Sequence, residues 1–168
     1  MGDVKNLSGR EGIEKLQELV KKARVCMFCT KVNEMPFETR PMSIQDVDEE
    51  GNIWFFSGES SNKNLQIEED NHVQLVYSNK GDNEFLTVYG IAEIIKDTAK
   101  AEELWEPIVK AWFKDGVDDP NLTIIKVKPQ DVYYWDTQHG KVTAMVKIAI
   151  AAMSNKVMDD GVEGKLKV

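Results

Sequence analysis

Over residues 9–22 the apolar positions recur every three or four residues, so that Ile13, Leu16, Leu19, Val20 and the following Ala23 share one face of a helix and charged residues the other. Ser8 and Glu11 stand at capping-box spacing at its start. The period then shortens to two. Residues 24–32 read as a strand, and residues 33–38, with Pro36 among polar neighbours, as a hairpin loop. A second strand runs through Thr39, Arg40, Pro41, Met42, Ser43 and Ile44. An acidic turn from Asp46 to Asn52 follows, and then the dense apolar run Ile53, Trp54, Phe55 and Phe56, suited to a buried strand ending at Ser57 and Gly58. Residues 72–78 alternate Val73, Leu75 and Tyr77 against Gln74, Val76 and Ser78. Residues 85–95 form a long β-branched and aromatic strand with Gly90 in its middle, a position for a bulge or a close backbone approach.

Helical spacing returns over residues 98–113, where Leu104, Trp105, Ile108, Val109 and Trp112 share a face and Pro107 kinks the helix or starts a second piece. Residues 115–120 are an acidic turn-rich loop, and residues 122–127 and 132–136 read as two strands separated by Pro129. Val142, Met145, Val146, Ala149 and Met153 are spaced for a last helix over residues 142–152. The polar, glycine-containing tail after Ser154 reads as frayed. The six or seven strands between helices predict a mainly β fold, a β-barrel with flanking helices, as one domain over residues 1–153 with a polar tail at 154–168.

At 168 residues a single domain removes roughly 70% of the unfolded chain's surface, enough for a substantial core. The net charge of −8 argues against nucleic acid and against an anionic membrane surface as partners. No apolar run approaches the roughly 20 residues of a membrane-spanning helix, and the first residues lack a secretory pattern, so a soluble, cytoplasmic protein is expected. Cys26 and Cys29 have C-x-x-C spacing, but on a strand residues three apart face opposite sides and share neither a disulfide nor a metal. With only His72 and His139 as further soft ligands, no zinc site is expected, and the cysteines read as small buried side chains. Neither histidine has an evident Ser, Cys or acid partner spaced for nucleophilic catalysis.

Chemistry concentrates between Thr39 and Lys63. Arg40 and Met42, two apart on a strand, leave the same face. Ser60 and Ser61 are residues that open helices, and a helix start offers free backbone N–H groups to an anion. Lys63 then lies in the first turn, where the helix dipole opposes a cation unless something negative is near. The segment thus proposes a phosphate held by Arg40, Lys63, a serine hydroxyl and backbone amides. The bland alternative is two surface cations paired with neighbouring acids, which contribute little.

Arg40 ahead of a strand and hairpin, the aromatic pair Phe55-Phe56 with Ser57, and then Ser61-Asn62-Lys63 together carry a resemblance. It extends from about residue 7 to about residue 152 through Ala23-Arg24-Val25-Cys26, Trp105, Trp112-Phe113, Asp119-Pro120, Ile124 to Val127 and Tyr134-Trp135-Asp136. In this order and spacing the chain resembles the FMN-binding split β-barrels related to pyridoxamine 5′-phosphate oxidase, nearest to the general stress protein 26-like branch.

The resemblance implies FMN as cofactor, with its phosphate at Arg40, Lys63, Ser61 and Asn62 and its ring along Met42, Ser43, Phe56 and Ser57. It also implies a homodimer with the flavin at the subunit interface, where Trp112 and Trp135 are the tryptophans suited to close over it; Trp54 and Trp105 read as core. Two departures stand out. Asn62 replaces a second basic residue of the oxidases proper, which implies weaker phosphate binding. Their C-terminal Arg-x-His-x-Arg is replaced after Trp135 by Lys141-Val142-Thr143-Ala144-Met145, and lysine lacks arginine's planar fork. Pyridoxamine-phosphate oxidation is therefore not expected. The implied function is a low-specificity flavin oxidoreductase with an unknown small-molecule electron donor or acceptor and no catalytic side chain. Rival readings are a non-enzymatic flavin-binding stress protein, or the same barrel around a deazaflavin or a haem.

Overall fold

The structure, a computed structural model, describes residues 3–137 and 161–168. Two short strands, β1 (Asp3–Val4) and β2 (Leu7–Ser8), lead into helix α1 (Gly9–Ala23). As its periodicity requires, α1 buries Leu16, Leu19 and Val20 and half-buries Ile13 and Ala23. Ser8 occupies the N-cap position, but its side chain makes no capping bond, so the expected capping box does not form. Strands β3 (Val25–Thr30), β4 (Glu38–Ser43), β5 (Asp46–Val47) and β6 (Ile53–Gly58) follow, then helix α2 (Asn62–Glu69) and strands β7 (His72–Asn79) and β8 (Glu84–Ile95).

The helical stretch expected over residues 98–113 breaks in two. Helix α3 (Thr98–Leu104) ends before Pro107, which opens a separate 3-10 segment, Pro107–Ala111, as a proline without an N–H is able to do. Because the two pieces do not share one helical face, Ile108 and Trp112 point outward, 67% and 71% exposed. Strand β9 (Leu122–Thr137) is continuous, not two strands divided by Pro129. On one side β9 pairs with β8 along its length. On the other it pairs with β6 up to Val127 and with the last strand, β10 (Gly161–Lys167), only from Tyr133 onward. Pro129 sits in the gap between those partners, where its missing N–H costs no ladder bond. The register shifts there, between Tyr89 and Gly90, and a Cβ on Gly90 would lie 2.5 Å from the Lys128 carbonyl oxygen. The bulge expected at Gly90 is what lets the proline pass.

Strand β10 corrects the reading of a frayed tail. It lies antiparallel to β9 and parallel to β1 and β2, and buries Val162 and Leu166. The Lys5 N–H donates to the Glu163 carbonyl at 2.8 Å, and the Tyr134 hydroxyl donates to the Lys5 carbonyl at 2.8 Å. The helix expected at residues 142–152, with His139 and Lys141, lies outside the described residues.

The strands form one mixed sheet in the order β1-β10-β9-β8-β7-β3-β4, with β6 on the second edge of β9 and β5 on β6. Seven of them have six residues or more. The barrel core gathers α1's apolar face with Phe28, Phe55, Leu75, Val88, Val132 and Tyr134. A second cluster packs α3 and the 3-10 segment against the other face of β6 and β9 through Trp54, Leu104, Val109, Phe113, Leu122 and Ile124. That second layer forms one wall of the site.

Candidate functional site

β4 is hydrogen-bonded to β3 but, among the described residues, to no strand on its other side, while β6, paired along one edge with β9, carries on its other edge only the two residues of β5 among the described residues. The seam left open between β4 and β6 holds a cavity of about 530 Å³. The 3-10 segment and Phe113 close its side.

One end is cationic. Arg40 shares the inner face of β4 with buried Met42, as alternation demands. Its guanidinium donates to Thr30 Oγ1 at 2.6 Å and Gln66 Oε1 at 3.0 Å, with Glu38 at 3.5 Å. The buried Thr30 hydroxyl in turn donates to Gln66 Oε1 at 2.6 Å, so a polar pair on β3 and α2 aims the arginine. Burial lowers the Arg40 pKa, and Glu38 opposes that shift. Lys63 makes no hydrogen bond or ion pair with any described residue. Burial, and then the Arg40 charge, hold its pKa below the ordinary lysine range. Two half-buried cations side by side, one of them without a counter-ion among the described residues, form a site short of negative charge.

The start of α2 lies beside them. Ser61 is its N-cap, accepting from the Asn64 N–H, and its Oγ is 3.3 Å from Ser57 Oγ. Ser57 donates to Asn64 Oδ1 at 2.6 Å, Asn64 Nδ2 donates to Thr123 Oγ1 at 3.0 Å, and Thr123 Oγ1 donates to the Ser57 carbonyl at 2.9 Å. This buried ring of bonds locks β6, β9 and α2 together. A fully satisfied polar network of this kind rigidifies what it holds, here the serine and the helix start.

The middle of the cavity is apolar and aromatic. Met42 and Ser43 line it from β4, Phe56 from β6 and Trp112 from the end of the 3-10 segment. Phe56 is held from behind by Trp105 and Phe113, with ring centres 5.8 and 6.4 Å away. The far end is polar again: Arg24, Gln45 and Glu106, with Arg24 and Glu106 3.6 Å apart.

Of the residues picked out in the sequence, Arg40, Met42, Ser43, Phe56, Ser57, Lys63 and Trp112 surround this one cavity. Ser61 stands behind it at the helix cap, and Asn62 is exposed on the first turn of α2. Trp135 is not brought to the cavity of its own chain. It lies on β9 between Phe85 and Glu163, against the Tyr133 ring at 4.8 Å. His72 does have an acid neighbour, Asp70 at 2.6 Å, but the pair is local and outside the cavity. Both cysteines are buried and unlinked, and burial pushes the Cys26 thiol up to about 12, as for a packed side chain and not a nucleophile. Thr30, Gln45, Asn64, Gln66, Thr123 and Glu106 were not singled out from the sequence, and Arg24 entered only as part of the resemblance and not as a site residue. For Asn64 and Gln66 the trace was polarity on the buried side of α2, which they share with Ile67.

A small mixed sheet curled into a barrel with one open, cation-ended seam defines the class: a split β-barrel. Residues 11–159 match the family described as pyridoxamine 5′-phosphate oxidase like, and the chain belongs to that family. Among curated proteins it is 24% identical over 127 residues to protein bli-3 of Neurospora crassa, covering 70% of this chain and 61% of that one. It is 34% identical over 62 residues to general stress protein 26 of Bacillus subtilis, covering 36% and 44%. The chain thus spans less than two thirds of either relative. Among solved structures, a general stress protein 26 from Jannaschia sp. superposes with a TM-score of 0.77 at 23% identity over 94% of this chain and 96% of that one. The general stress FMN/FAD binding protein of Xanthomonas citri superposes with a TM-score of 0.65 at 27% identity over 76% and 90%.

Proposed function

We propose that this chain is a soluble, cytoplasmic FMN-binding flavoprotein of the general stress type that works as a homodimer and as a low-specificity oxidoreductase. The observation that carries the reading is the pair Arg40 and Lys63, half-buried beside the start of α2 with no counter-ion on the lysine among the described residues, at one end of an aromatic cavity. A terminal phosphate fits that end, since it supplies the missing charge and accepts from the guanidinium, the ammonium, Ser61 and the helix N–H groups. The likeness to the Xanthomonas citri protein supports the same ligand class.

Arg40, Lys63, Ser61 and Asn62 would hold the phosphate, and Met42, Ser43, Phe56, Ser57 and Trp112 would position the ring and keep water from it. Bound there, the flavin supplies the electron and hydride chemistry, which asks for no acid or base from the chain. The outer sheet face supports the homodimer. Val25, Met27, Val76, Phe85 and Trp135, on β3, β7, β8 and β9, are each 39–45% exposed, with Met27 opposite Val76 and Phe85 opposite Trp135. Val25 also lines the cavity, so a second copy on this face would complete the site and bring its own aromatic residues, Trp135 among them, toward it.

The test is near-ultraviolet and visible absorbance of the purified protein before and after loading with FMN and gel filtration. Flavin bands that travel with a dimer are expected, with turnover when a reduced nicotinamide and an electron acceptor are added. Retained flavin without turnover would make it a flavin-binding protein only. No retained flavin, or a Soret band in its place, would overturn the cofactor.

A further inference from the structure

Arg40 has an acid of its own. Glu38 stands two residues before it on β4, so both side chains leave the same face of the strand, and Glu38 Oε2 lies 3.5 Å from Arg40 Nη2. Most of the guanidinium's donors are committed elsewhere. Nη1 donates to Thr30 Oγ1 at 2.6 Å and to the Phe28 carbonyl at 3.4 Å, and Nη2 donates to Gln66 Oε1 at 3.0 Å. Of the five N–H groups of an arginine, that leaves the Nε–H and one on Nη2 without a hydrogen bond to any described residue. Glu38 sits beside Nη2, where an incoming anion needs the same donors. The pair is loose. A tight charged hydrogen bond measures about 2.7–2.9 Å, and the Glu38 side chain is 50% exposed against 23% for Arg40, so holding it there contributes little. Thr30 and Gln66 are bonded to each other as well as to the guanidinium, and they hold it without help from Glu38.

Resting on the FMN reading of this cavity, we propose that Glu38 is the resident counter-ion of the empty site, competing with the flavin phosphate for Arg40 and keeping the cofactor exchangeable. On binding, the phosphate takes the donors left on Nε and Nη2, and Glu38 turns out to solvent, as its exposure allows. Its negative charge stays close to the phosphate and opposes it. As the phosphate leaves, the carboxylate returns to Arg40. Glu38 does not line the cavity itself, so its effect falls on the phosphate end and not on the ring. One of the two cations is thus neutralised in advance, while Lys63 has no such acid among the described residues. Asn62, uncharged and exposed on the first turn of α2, adds nothing to offset it.

The experiment titrates protein freed of bound flavin with FMN and with riboflavin, the same ring without the phosphate, following flavin fluorescence for wild type, Glu38→Gln and Glu38→Ala. The alanine variant is needed because a glutamine amide can itself donate to a phosphate. Both variants are expected to bind FMN about three- to tenfold more tightly than wild type and riboflavin within about twofold of it. The gain for FMN should shrink as added salt screens the charges. Unchanged or weaker FMN binding in the folded variants would overturn the competition while leaving FMN binding by wild type intact. An equal gain for riboflavin would overturn it too, since Glu38 would then act on the ring or on the fold. Loss of the fold in both variants, read by thermal unfolding, would count against it as well, because a carboxylate the fold depends on is not a displaceable one. Failure of wild type to bind FMN at all would sink the flavin reading and this inference with it.

Discussion

Lys63 sits where the dipole of α2 opposes a cation, inside a half-buried cavity and next to another cation, and folding alone gives no reason for it. Its lowered pKa means that the folded state disfavours the charged form. Below that lowered value Lys63 opposes folding in full, and the opposition fades as pH rises through the ordinary lysine range. An anion reverses the preference, so binding takes up a proton once Lys63 has begun to lose its own. FMN affinity is therefore expected to hold at neutral pH and to fall as pH rises through the depressed Lys63 pKa, earlier than an ordinary lysine would dictate. Lys63→Arg should carry full affinity to higher pH, and titrations at several alkaline pH values would read this directly. A pH-independent affinity would remove Lys63 from the phosphate. Arg40→Ala is expected to weaken FMN binding by about 2–3 kcal/mol, or roughly 30- to 150-fold, through loss of a charged hydrogen bond. Thermal unfolding of the same variant separates this from damage to the Thr30–Gln66 pair that Arg40 also satisfies.

Among the elements, β9 and β10 decide the most. β9 serves three partners, β8 throughout and β6 then β10 on its second edge, so it ties the wall of the cavity to both ends of the chain. β10 fills the last part of that edge and buries Val162 and Leu166 against the barrel core. Truncation after residue 160 should cost about 3–6 kcal/mol, at roughly 1.5–3 for each buried side chain, and lower the denaturant midpoint accordingly. A midpoint left in place would mean that the segment contributes nothing. The polar appearance of this strand explains why it was not legible. Gly161, Glu163, Gly164 and Lys165 dilute the period of two, and the need for Gly164 becomes visible only once the Lys5 carbonyl is packed against it.

For the whole molecule the question is what covers the outer sheet. Met27 lies opposite Val76, and Phe85 opposite Trp135, on a face that runs into the cavity through Val25. Met27→Glu with Phe85→Lys is expected to shift the protein from dimer to monomer in light scattering and to weaken its hold on FMN, because the site would lose its cover. An intact dimer with unchanged affinity would move the interface to another face. The reach of the site is set at this scale too, since one chain supplies both ends of the cavity but leaves its middle open beside Trp112, 71% exposed.

What the sequence determined by itself was local. Helix α1, the strands β3, β4, β6, β7 and β8, the helix start at Ser61, the bulge at Gly90 and the placement of Arg40 with Met42 all follow from periods of 3.6 and 2 and from residues that cap or bend a chain, whereas β5 falls in what reads as an acidic turn. The tertiary structure decided what depends on an opposite neighbour. Pro129 continues β9 only because two partner strands leave a gap beside it, and the tail becomes β10 only because β1, β2 and β9 offer it edges. Thr30, Asn64, Gln66 and Thr123 become a scaffold for the site only when β3, α2 and β9 meet. A side chain's own chemistry can be read from the chain, but whether its hydrogen bonds are satisfied depends on partners far away in sequence, and those only folding supplies.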